Sequence, residues 1–211
     1  MQNNAFSRLR CAALFSDYEE AVASMARLLP AELYAANQDT VGIARALLGT
    51  ILVRSGDGRP TTRHVITETE AYHSEQDLAC HASKGRTLRT DVLFRRGGIW
   101  YVYLCYGIHE MLNLVVGPDG FPAAVLIRGL HDVTGPGRLT KALGIDRTLN
   151  GKPAHPDSGL WLEDAGLHVP DRGIEATPRI GVDYAGAVWA AKPWRFVLTP
   201  KALASVRERV G

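Results

Sequence analysis

The sequence predicts a single compact α+β domain with a curved, mostly antiparallel β-sheet flanked by helices. Short segments rich in β-branched and aromatic residues recur along the chain, separated by turn residues, which is typical of antiparallel strands. Few segments show the helical spacing of apolar residues that a doubly wound sheet would need. No GxGxxG or GxxxxGK(S/T) motif is present, so a nucleotide-phosphate cofactor is not expected. The 211 residues suffice for one domain with a sizeable core.

Each element is predicted from its own local pattern. Residues 39–48 have apolar side chains at helical spacing, with Asp39 able to cap the start and Gly49 placed where a helix ends. A second helix is predicted over 138–143, and Pro136 suits its first turn. The predicted strands are 50–54, 61–72, 99–106, 111–116, 123–130, 160–163, 179–182 and 194–198.

The first 24 residues show no sustained pattern and are predicted to form a loosely ordered extension, with the domain spanning 25–211. The apolar stretch at 11–15 is too short for a convincing signal peptide, and no apolar run approaches the length of a membrane span. Three cysteines without a CxxC pair give no disulfide or zinc framework. We therefore expect an intracellular, cytoplasmic protein without a structural metal.

The charge distribution is more informative than the formal net charge of +2. Segment 84–96 holds five cations and one anion, and segment 68–77 before it holds four acids. Such neighbours can form a surface patch of salt bridges. Alternatively, they can form a site in which a carboxylate performs chemistry beside cations that bind a phosphate backbone. Composition leaves both interpretations open.

The segment 67–72 (TETEAY) places two carboxylates and an aromatic ring close together. Side chains alternate along a strand, so Glu68, Glu70 and Tyr72 should share one face. One interpretation is an edge strand whose acids pair with nearby arginines, since charged side chains are usually solvated. The other is a carboxylate placed beside a flat ring that holds a planar substrate.

A second aromatic segment, 100–107 (WYVYLCYG), follows the basic stretch. Tyr101 and Tyr103 should share a face, and Tyr106 precedes Gly107 at a possible hairpin tip. Aromatic strand residues most often belong to the core. Next to cations, however, they also fit a surface on which nucleic-acid bases stack.

Two polar residues, Asn113 and Arg128, lie within otherwise apolar strand segments. A buried polar group left without a partner costs about 1–3 kcal/mol, so each must satisfy backbone groups or point into a polar pocket. Considered together with Glu70, Tyr72 and Tyr103, they favour a pocket. His81 has no His or Cys at metal-ligand spacing nearby, so metal binding is weakly supported.

The ordered set of these segments resembles the alkyladenine (methyladenine) DNA glycosylase family over roughly residues 29–200. Any single stretch is weak evidence for the family, but the ordered set of stretches is specific to it. The matching stretches are IARALLG (43–49), ETEAY (68–72), HAS (81–83), YVYLCYG (101–107), Asn113, VLIR (125–128), GPGRL (135–139) and RIGV (179–182).

The resemblance implies a monofunctional enzyme that starts base excision repair. It would rotate alkylated or deaminated purines out of double-stranded DNA and hydrolyse the N-glycosidic bond. No lysine falls at a matched pocket position, so a lyase step through an imine is not expected. No cofactor and no membrane partner are implied, and a monomer is expected.

The resemblance also assigns roles to individual residues. Glu70 matches the general base that activates water, and Arg128 matches the residue that positions Glu70 and that water. Asn113 matches the residue that crowds the exocyclic amine of normal guanine. Tyr106 matches the side chain inserted into the gap left by the flipped nucleotide. The walls that hold the extruded base match Tyr72, His81 and Tyr103.

The sequence departs from the mammalian pattern at two positions, His109 and Met111. His109 replaces a tyrosine near the minor groove, and Met111 replaces a cysteine near the pocket, so the range of lesions is left open. Three alternatives remain: a helix-hairpin-helix glycosylase suggested by 135–137 (GPG), a non-enzymatic nucleic-acid-binding module, and a hydrolase of free nucleosides. The strand-rich surroundings disfavour the first, and the cations and Tyr106 disfavour the last.

Overall fold

A computed structural model describes residues 27–36, 38–56, 58–164 and 166–210. Its strands are β1 (Arg27–Leu28), β2 (Ile51–Gly56), β3 (Arg59–His73), β4 (Trp100–Cys105), β5 (His109–Val115), β6 (Ala123–Leu130), β7 (Leu160–Asp164), β8 (Ile174–Thr177) and β9 (Arg195–Leu198). Its α-helices are α1 (Glu32–Ala35), α2 (Thr40–Ala46), α3 (Pro136–Leu143), α4 (Gly186–Ala190) and α5 (Pro200–Val210). The expected extension at 1–24, and the boundary after it, lie outside the described residues.

Strand β3 is 15 residues long and pairs with three other strands of a curled sheet. Every described strand pair in this sheet is antiparallel. The strand order is β1-β7-β2-β3-β6-β5-β4, and β9 joins β3 to β8. The first half of β3 pairs with β2, and its second half lies between β6 and β9. The pairing with β6 is irregular between Ile66 and Thr69, as at a bulge, which bends a strand. The predicted fold class, α+β with a curved antiparallel sheet, is confirmed.

The alternation of side chains along β3 separates the core from the polar face. Ala71 is buried in the main hydrophobic cluster, and the Thr69 hydroxyl donates to the carbonyl of Ala44 in α2 at 2.7 Å. The opposite face carries Glu68, Glu70 and Tyr72, as the period of two predicts. Helices therefore cover one face of this part of the sheet, and the other face is available for a site.

The predicted helices are confirmed with their start signals, whereas α2 ends at Ala46, before the predicted stop at Gly49. The Asp39 side chain accepts the backbone N–H of Gly42 at 2.8 Å before α2. Pro136 begins α3, and Gly144 ends it in the left-handed conformation with a φ of 59°. Both ends follow the ordinary capping preferences.

The predicted strand at 179–182 is wrong, because these residues form an irregular loop. Gly181 has a φ of +75°, which a regular strand does not allow, and the strand of this region comes earlier, at β8. Helix α5 was not predicted. Among the described residues, no helix is both long enough and apolar enough to cross a membrane.

Candidate active site

A cavity of about 710 Å³ opens on the polar face of the sheet, beside the ends of β3 and β6, the β4–β5 hairpin and the 180–184 loop. Six of the seven predicted site residues line this cavity. They are Tyr72, His81, Tyr103, Tyr106, Asn113 and Arg128. The seventh, Glu70, is fully buried and hydrogen bonds to Tyr72. The structure thus brings together residues that are up to 58 positions apart in the chain.

Three groups hold the Glu70 carboxylate in place. Its Oε2 accepts the hydroxyl of Tyr72 at 2.8 Å, and its Oε1 accepts the backbone N–H of Ile180 at 2.8 Å. The Arg128 Nη1 atom lies 3.4 Å from Oε1. The three groups come from β3, from β6 and from the irregular loop at 179–182, and together they fix the orientation of the carboxylate.

The environment of Glu70 shifts its acidity. Burial raises the pKa of the Glu70 carboxyl above its ordinary value, because desolvation disfavours the charged form. The Arg128 guanidinium, the Ile180 N–H and the Tyr72 hydroxyl each act in the opposite direction and limit the rise, while the charge of Glu68 adds to it slightly. Enzymes use such surroundings to bring a carboxylate base closer to the working pH.

Glu68 has a different environment. Its Oε1 atom accepts Nε–H from Arg128 at 3.0 Å and from Arg195 at 2.6 Å. Arg128 thus lies between the two carboxylates, bonded to Glu68 and close to Glu70. The edge-strand interpretation is wrong, because this part of β3 lies between β6 and β9. Its pairing of the acids with arginines holds for both, since Glu68 pairs with Arg128 and Arg195 and the buried Glu70 pairs with Arg128.

The aromatic side of the cavity is built by the 3-10 turn at His81–Lys84 and by β4. The rings of His81 and Tyr103 meet edge-on with centroids 4.6 Å apart. His81 Nδ1 lies 3.0 Å from the hydroxyl of Tyr101, which fixes the imidazole. Burial and the nearby Arg89 lower the pKa of His81 to about 4, so the ring is neutral at neutral pH.

Asn113 is buried on β5, and its Nδ2 atom donates to the carbonyls of Tyr101 at 3.1 Å and Met111 at 3.3 Å. These bonds orient the amide within the sheet, as expected for a polar group among apolar strand residues. Met111 also lines the cavity, facing Tyr103 across the hairpin. His109 begins β5 and packs against Gly137, where an added Cβ would lie 2.8 Å from its ring.

Tyr106 lies at the tip of the β4–β5 hairpin, as predicted. Cys105 pairs with His109, and the three residues between them form the turn. Tyr106 is 89% exposed and has a φ of +50°, a conformation that costs an L-residue roughly 1–2 kcal/mol. The turn therefore holds a large ring outward into solvent.

One part of the basic segment 84–96 forms a surface patch of salt bridges, and another part contributes a cation to the cavity. Asp91 forms salt bridges with Arg86 and Arg95, both at 2.8 Å, so this part is a surface ion-pair patch. Arg89 instead lies over the Tyr103 ring, 5.2 Å from its centroid, and lines the cavity. Exposed Lys84 also borders the cavity, so the cavity does contain a lysine, although not at a position matched by the resemblance.

Four contributors to the site were given no site role from the sequence: Tyr101, Asp77, Arg179 and Ile180. Ile180 acts through its backbone, and Tyr101 acts through the hydroxyl that holds His81. Arg179 forms a fully buried ion pair with Asp77 next to Tyr72. The signal for Tyr101 was available, since it shares a strand face with Tyr103. The Arg179–Asp77 pair spans 102 positions, so no local pattern reveals it.

A metal centre has little support in the described part of the chain. The one group there with metal-ligand spacing is His64, His131 and Asp132, whose ligand atoms lie within 4.8 Å of one another. His64 Nδ1 already bonds Asp132 at 2.8 Å, and His131 Nδ1 accepts the Val65 N–H at 3.1 Å. None of these residues lines the cavity.

The described site is thus a buried carboxylate beside a cavity with aromatic walls. Comparison with known proteins specifies the class of protein. The family model for methylpurine-DNA glycosylase matches residues 34–134 and 131–202. The chain therefore belongs to the methylpurine-DNA glycosylase family, whose members are hydrolases of N-glycosyl bonds in DNA.

Individual relatives agree with the family match. A Psychrobacter cryohalolentis protein is 44% identical over 191 residues, covering 76% of this chain and 87% of the relative. One from Anaeromyxobacter dehalogenans strain 2CP-1 is 46% identical over 178 residues, covering 81% of each. One from Rickettsia felis is 40% identical over 179 residues, covering 82% and 93%. All three carry the name "Putative 3-methyladenine DNA glycosylase".

Proposed function

We propose that the chain is a monofunctional DNA glycosylase that rotates an alkylated or deaminated purine out of duplex DNA and hydrolyses its N-glycosidic bond. Glu70 is the general base of this reaction. The observation that carries the proposal is the Glu70 carboxylate, fully buried and held by Tyr72, Ile180 and Arg128 beside a cavity of about 710 Å³. The relatives' name favours 3-methyladenine as one substrate.

The reaction needs one water molecule and one base. Glu70 takes a proton from the water, the oxygen forms a bond to the anomeric carbon of the sugar, and the carbon–nitrogen bond breaks with its electron pair leaving on the purine. A cationic alkylated purine leaves as a neutral base, whereas a neutral lesion needs a proton from elsewhere. The products are a free base and an abasic site, the starting point of base excision repair.

The protonation state of Glu70 fits this role. The base must be ionised, and the surroundings that raise its pKa are opposed by Arg128 and by two hydrogen bonds. Arg128 lies close to Oε1 and lines the cavity, so it is placed to orient both Glu70 and the attacking water. General bases with pKa values nearer the working pH contribute typically about 10²–10⁴-fold in rate.

The aromatic walls suit an extruded purine. Tyr72, Tyr103 and His81 surround the cavity, and electron-rich tyrosine faces attract a cationic ring. His81 is neutral at neutral pH because its pKa is lowered to about 4, so this wall does not repel a cationic base. Asn113 is held in one orientation where it can crowd the exocyclic amine of guanine.

Double-stranded DNA with damaged purines is the proposed partner, and we place the protein with its DNA inside the cell. A monomer stays a prediction, and so does the absence of a lyase step, although Lys84 is among the residues that line the cavity. No cofactor takes part in the proposed reaction.

The deciding experiment measures base release from duplexes that carry methylated purine, ethenoadenine or hypoxanthine. The native protein should release at least one of them, and Glu70→Gln should lower release by at least about 10³-fold while retaining DNA binding. Glu163→Gln is a matched control, because Glu163 is also a buried strand carboxylate paired with an arginine, outside the cavity. It should retain the native rate.

Each contrary outcome has a distinct meaning. Release of no lesion by the native protein would contradict the proposed activity and favour the non-enzymatic binding module. If the Glu70→Gln variant releases the base at the native rate, Glu70 is not the general base. Faster hydrolysis of free nucleosides than of duplex DNA would favour the nucleoside hydrolase.

Tyr106 is proposed to fill the gap left by the flipped nucleotide, because it is 89% exposed at a hairpin tip beside the cavity. Tyr106→Ala should reduce excision from duplex DNA by about 10-fold or more, since inserted side chains offset lost base stacking. Tyr106→Phe keeps the ring and should stay near the native rate. Equal excision by all three proteins would contradict the wedge role.

A further inference from the structure

Arg179 and Asp77 form an ion pair in which both side chains are fully buried. Arg179 Nη2 donates to Asp77 Oδ1 at 2.9 Å and to the carbonyl of Trp189 at 3.2 Å. Its Nη1 atom donates to the carbonyl of Ala71 at 2.9 Å. One guanidinium therefore joins three separate parts of the chain. Neither residue lines the cavity, and neither has a part in the chemistry proposed above.

Asp77 extends the connection toward the aromatic wall. Its Oδ2 accepts the backbone N–H of His73 at 3.1 Å, and its Oδ1 accepts that of Ala79 at 3.0 Å. His73 ends β3, and Ala79 lies in the segment that leads to His81. The same carboxylate thus links the strand that carries Glu70 to the turn that carries the neutral imidazole.

The guanidinium also contacts two aromatic rings. Its Cζ atom lies 4.9 Å from the centroid of Tyr72 and 5.1 Å from that of Trp194. Tyr72 is the residue whose hydroxyl donates to Glu70. The residue after Arg179 is Ile180, whose backbone N–H donates to the other oxygen of Glu70. Of the three groups that hold Glu70, one therefore follows Arg179 directly in the chain, and a second belongs to a ring that the guanidinium contacts.

Stability alone is a poor explanation for this pair. Removing two charges from water carries a desolvation penalty that a buried ion pair often fails to recover, and apolar replacements are frequently as stable. What an arginine supplies is geometry, since its planar fork donates in several fixed directions at once. Here those directions fix the loop at 179–182, the end of β3 and the Tyr72 ring relative to one another.

We propose that Arg179, held by Asp77, is a positioning residue for Glu70: it fixes the Ile180 N–H and the Tyr72 hydroxyl on the two carboxylate oxygens. This inference rests on the proposed role of Glu70 as the base. Loss of the positioning weakens the bonds that favour the ionised carboxylate, so a larger fraction of Glu70 is protonated at a given pH. The acid limb of the pH–rate profile then moves to higher pH.

The test compares Arg179→Lys with the native protein in single-turnover excision across pH 5–9. Lysine keeps the positive charge but cannot donate in all of the directions that the guanidinium uses. We expect the acid limb to move up by about one pH unit, with a rate at pH 7 lowered by about 10-fold and DNA affinity unchanged. A carboxyl NMR titration of Glu70 should show the same upward displacement, and this readout does not require turnover.

Arg45→Lys is the matched control, because Arg45 also pairs with a carboxylate, Asp171 at 3.0 Å, and lies over an aromatic ring, Phe196 at 5.9 Å. It should retain the native pH profile. Asp77→Asn is the second variant and should shift the acid limb in the same direction. Its side chain keeps the shape of Asp77 but leaves the buried Arg179 charge without its carboxylate, so its folding is checked first.

The outcomes separate the two proposals. If the native protein releases no base, the proposed function fails before any variant is measured. If the native protein is active and the folded variants keep its acid limb, Arg179 is not a positioning residue. If neither variant folds, the pair is required for the fold itself, and the inference is overturned in favour of a structural role.

Discussion

Glu68 and Glu70 lie two residues apart on the same face of β3, yet their surroundings differ. Glu68 retains 13% side-chain exposure and accepts hydrogen bonds from two arginines, Arg128 and Arg195. Glu70 is fully buried, and the nearest arginine atom is 3.4 Å away. Glu68 is thus ion-paired with two arginines, whereas Glu70 is desolvated beside the cavity. The comparison teaches that the neighbours, not the residue type or the strand face, separate an ion-pair carboxylate from a candidate base.

Arg128 connects the two carboxylates and gives the largest expected effect after loss of Glu70 itself. Arg128→Gln removes the cation that favours ionised Glu70 and should lower excision at pH 7 by about 10²-fold. Part of the loss should be recovered at higher pH, because more Glu70 is then ionised. Single-turnover rates from pH 5 to 9 measure both effects.

Arg195→Gln is the control for that experiment. The Arg195 side chain bonds to Glu68 and Thr177, and although Arg195 lies opposite Glu70 in the β3–β9 pairing, it forms no hydrogen bond or ion pair with the Glu70 carboxylate. It should keep the acid limb and most of the rate. A rate loss as large as that of Arg128→Gln would show that the two carboxylates act as one unit, and the distinction between them would fail.

A smaller effect is expected from Glu68→Gln. The negative charge of Glu68 slightly raises the pKa of Glu70, so its removal should lower that pKa and move the acid limb to lower pH. The rate at pH 7 should stay within about threefold of the native rate, because the general base is intact. An upward movement of the limb, or a loss as large as that of Glu70→Gln, would contradict the assignment of Glu68 as the ion-pair carboxylate.

The smallest expected effect is on stability. Because the folded-state pKa of Glu70 is raised, the folded protein holds more protons than the unfolded chain between the two pKa values, and its free energy of unfolding falls as pH rises through that window. Glu70→Gln does not titrate and should escape this fall. Its melting temperature at pH 7.5 should exceed the native one by about 2–4 °C per 1 kcal/mol gained.

The pH dependence of that gain identifies its cause. The difference in melting temperature between Glu70→Gln and the native protein should be smaller at pH 4 than at pH 7.5, because native Glu70 is largely protonated at the lower pH. Glu68→Gln should show no such gain, since its carboxylate is satisfied by arginines. A native protein more stable than Glu70→Gln at pH 7.5 would mean that the partners of Glu70 outweigh its desolvation.

Local periodicity predicted where several of these side chains lie, whereas their roles came from the family resemblance. The alternation along β3 placed Glu70 and Tyr72 on one face, and a polar residue among apolar neighbours marked Asn113 and Arg128. Both predictions depend on residues close in sequence, where the strand repeat dictates direction. The same reasoning placed Tyr106 at a hairpin tip, because Gly107 supplies a turn conformation with a φ of +69°.

Contacts between distant segments could not be predicted in this way. Residues 179–182 have β-branched composition and were predicted as a strand, but the ion pair with Asp77 and the turn at Gly181 make them a loop. Tertiary contacts override a short propensity signal of this kind. The bond from Ile180 to Glu70 uses the backbone, so its side chain carries no sign of it.

The β4–β5 hairpin carries the exposed Tyr106 and the cavity residue Tyr103 only three positions apart on one strand and its turn. In the proposed function, the ring that enters the duplex and a wall that receives the base therefore belong to the same hairpin. The short stretch of backbone between Tyr103 and Tyr106 sets the distance between the two rings. If both roles hold, the ring and the wall approach the duplex and leave it together, because they belong to the same hairpin.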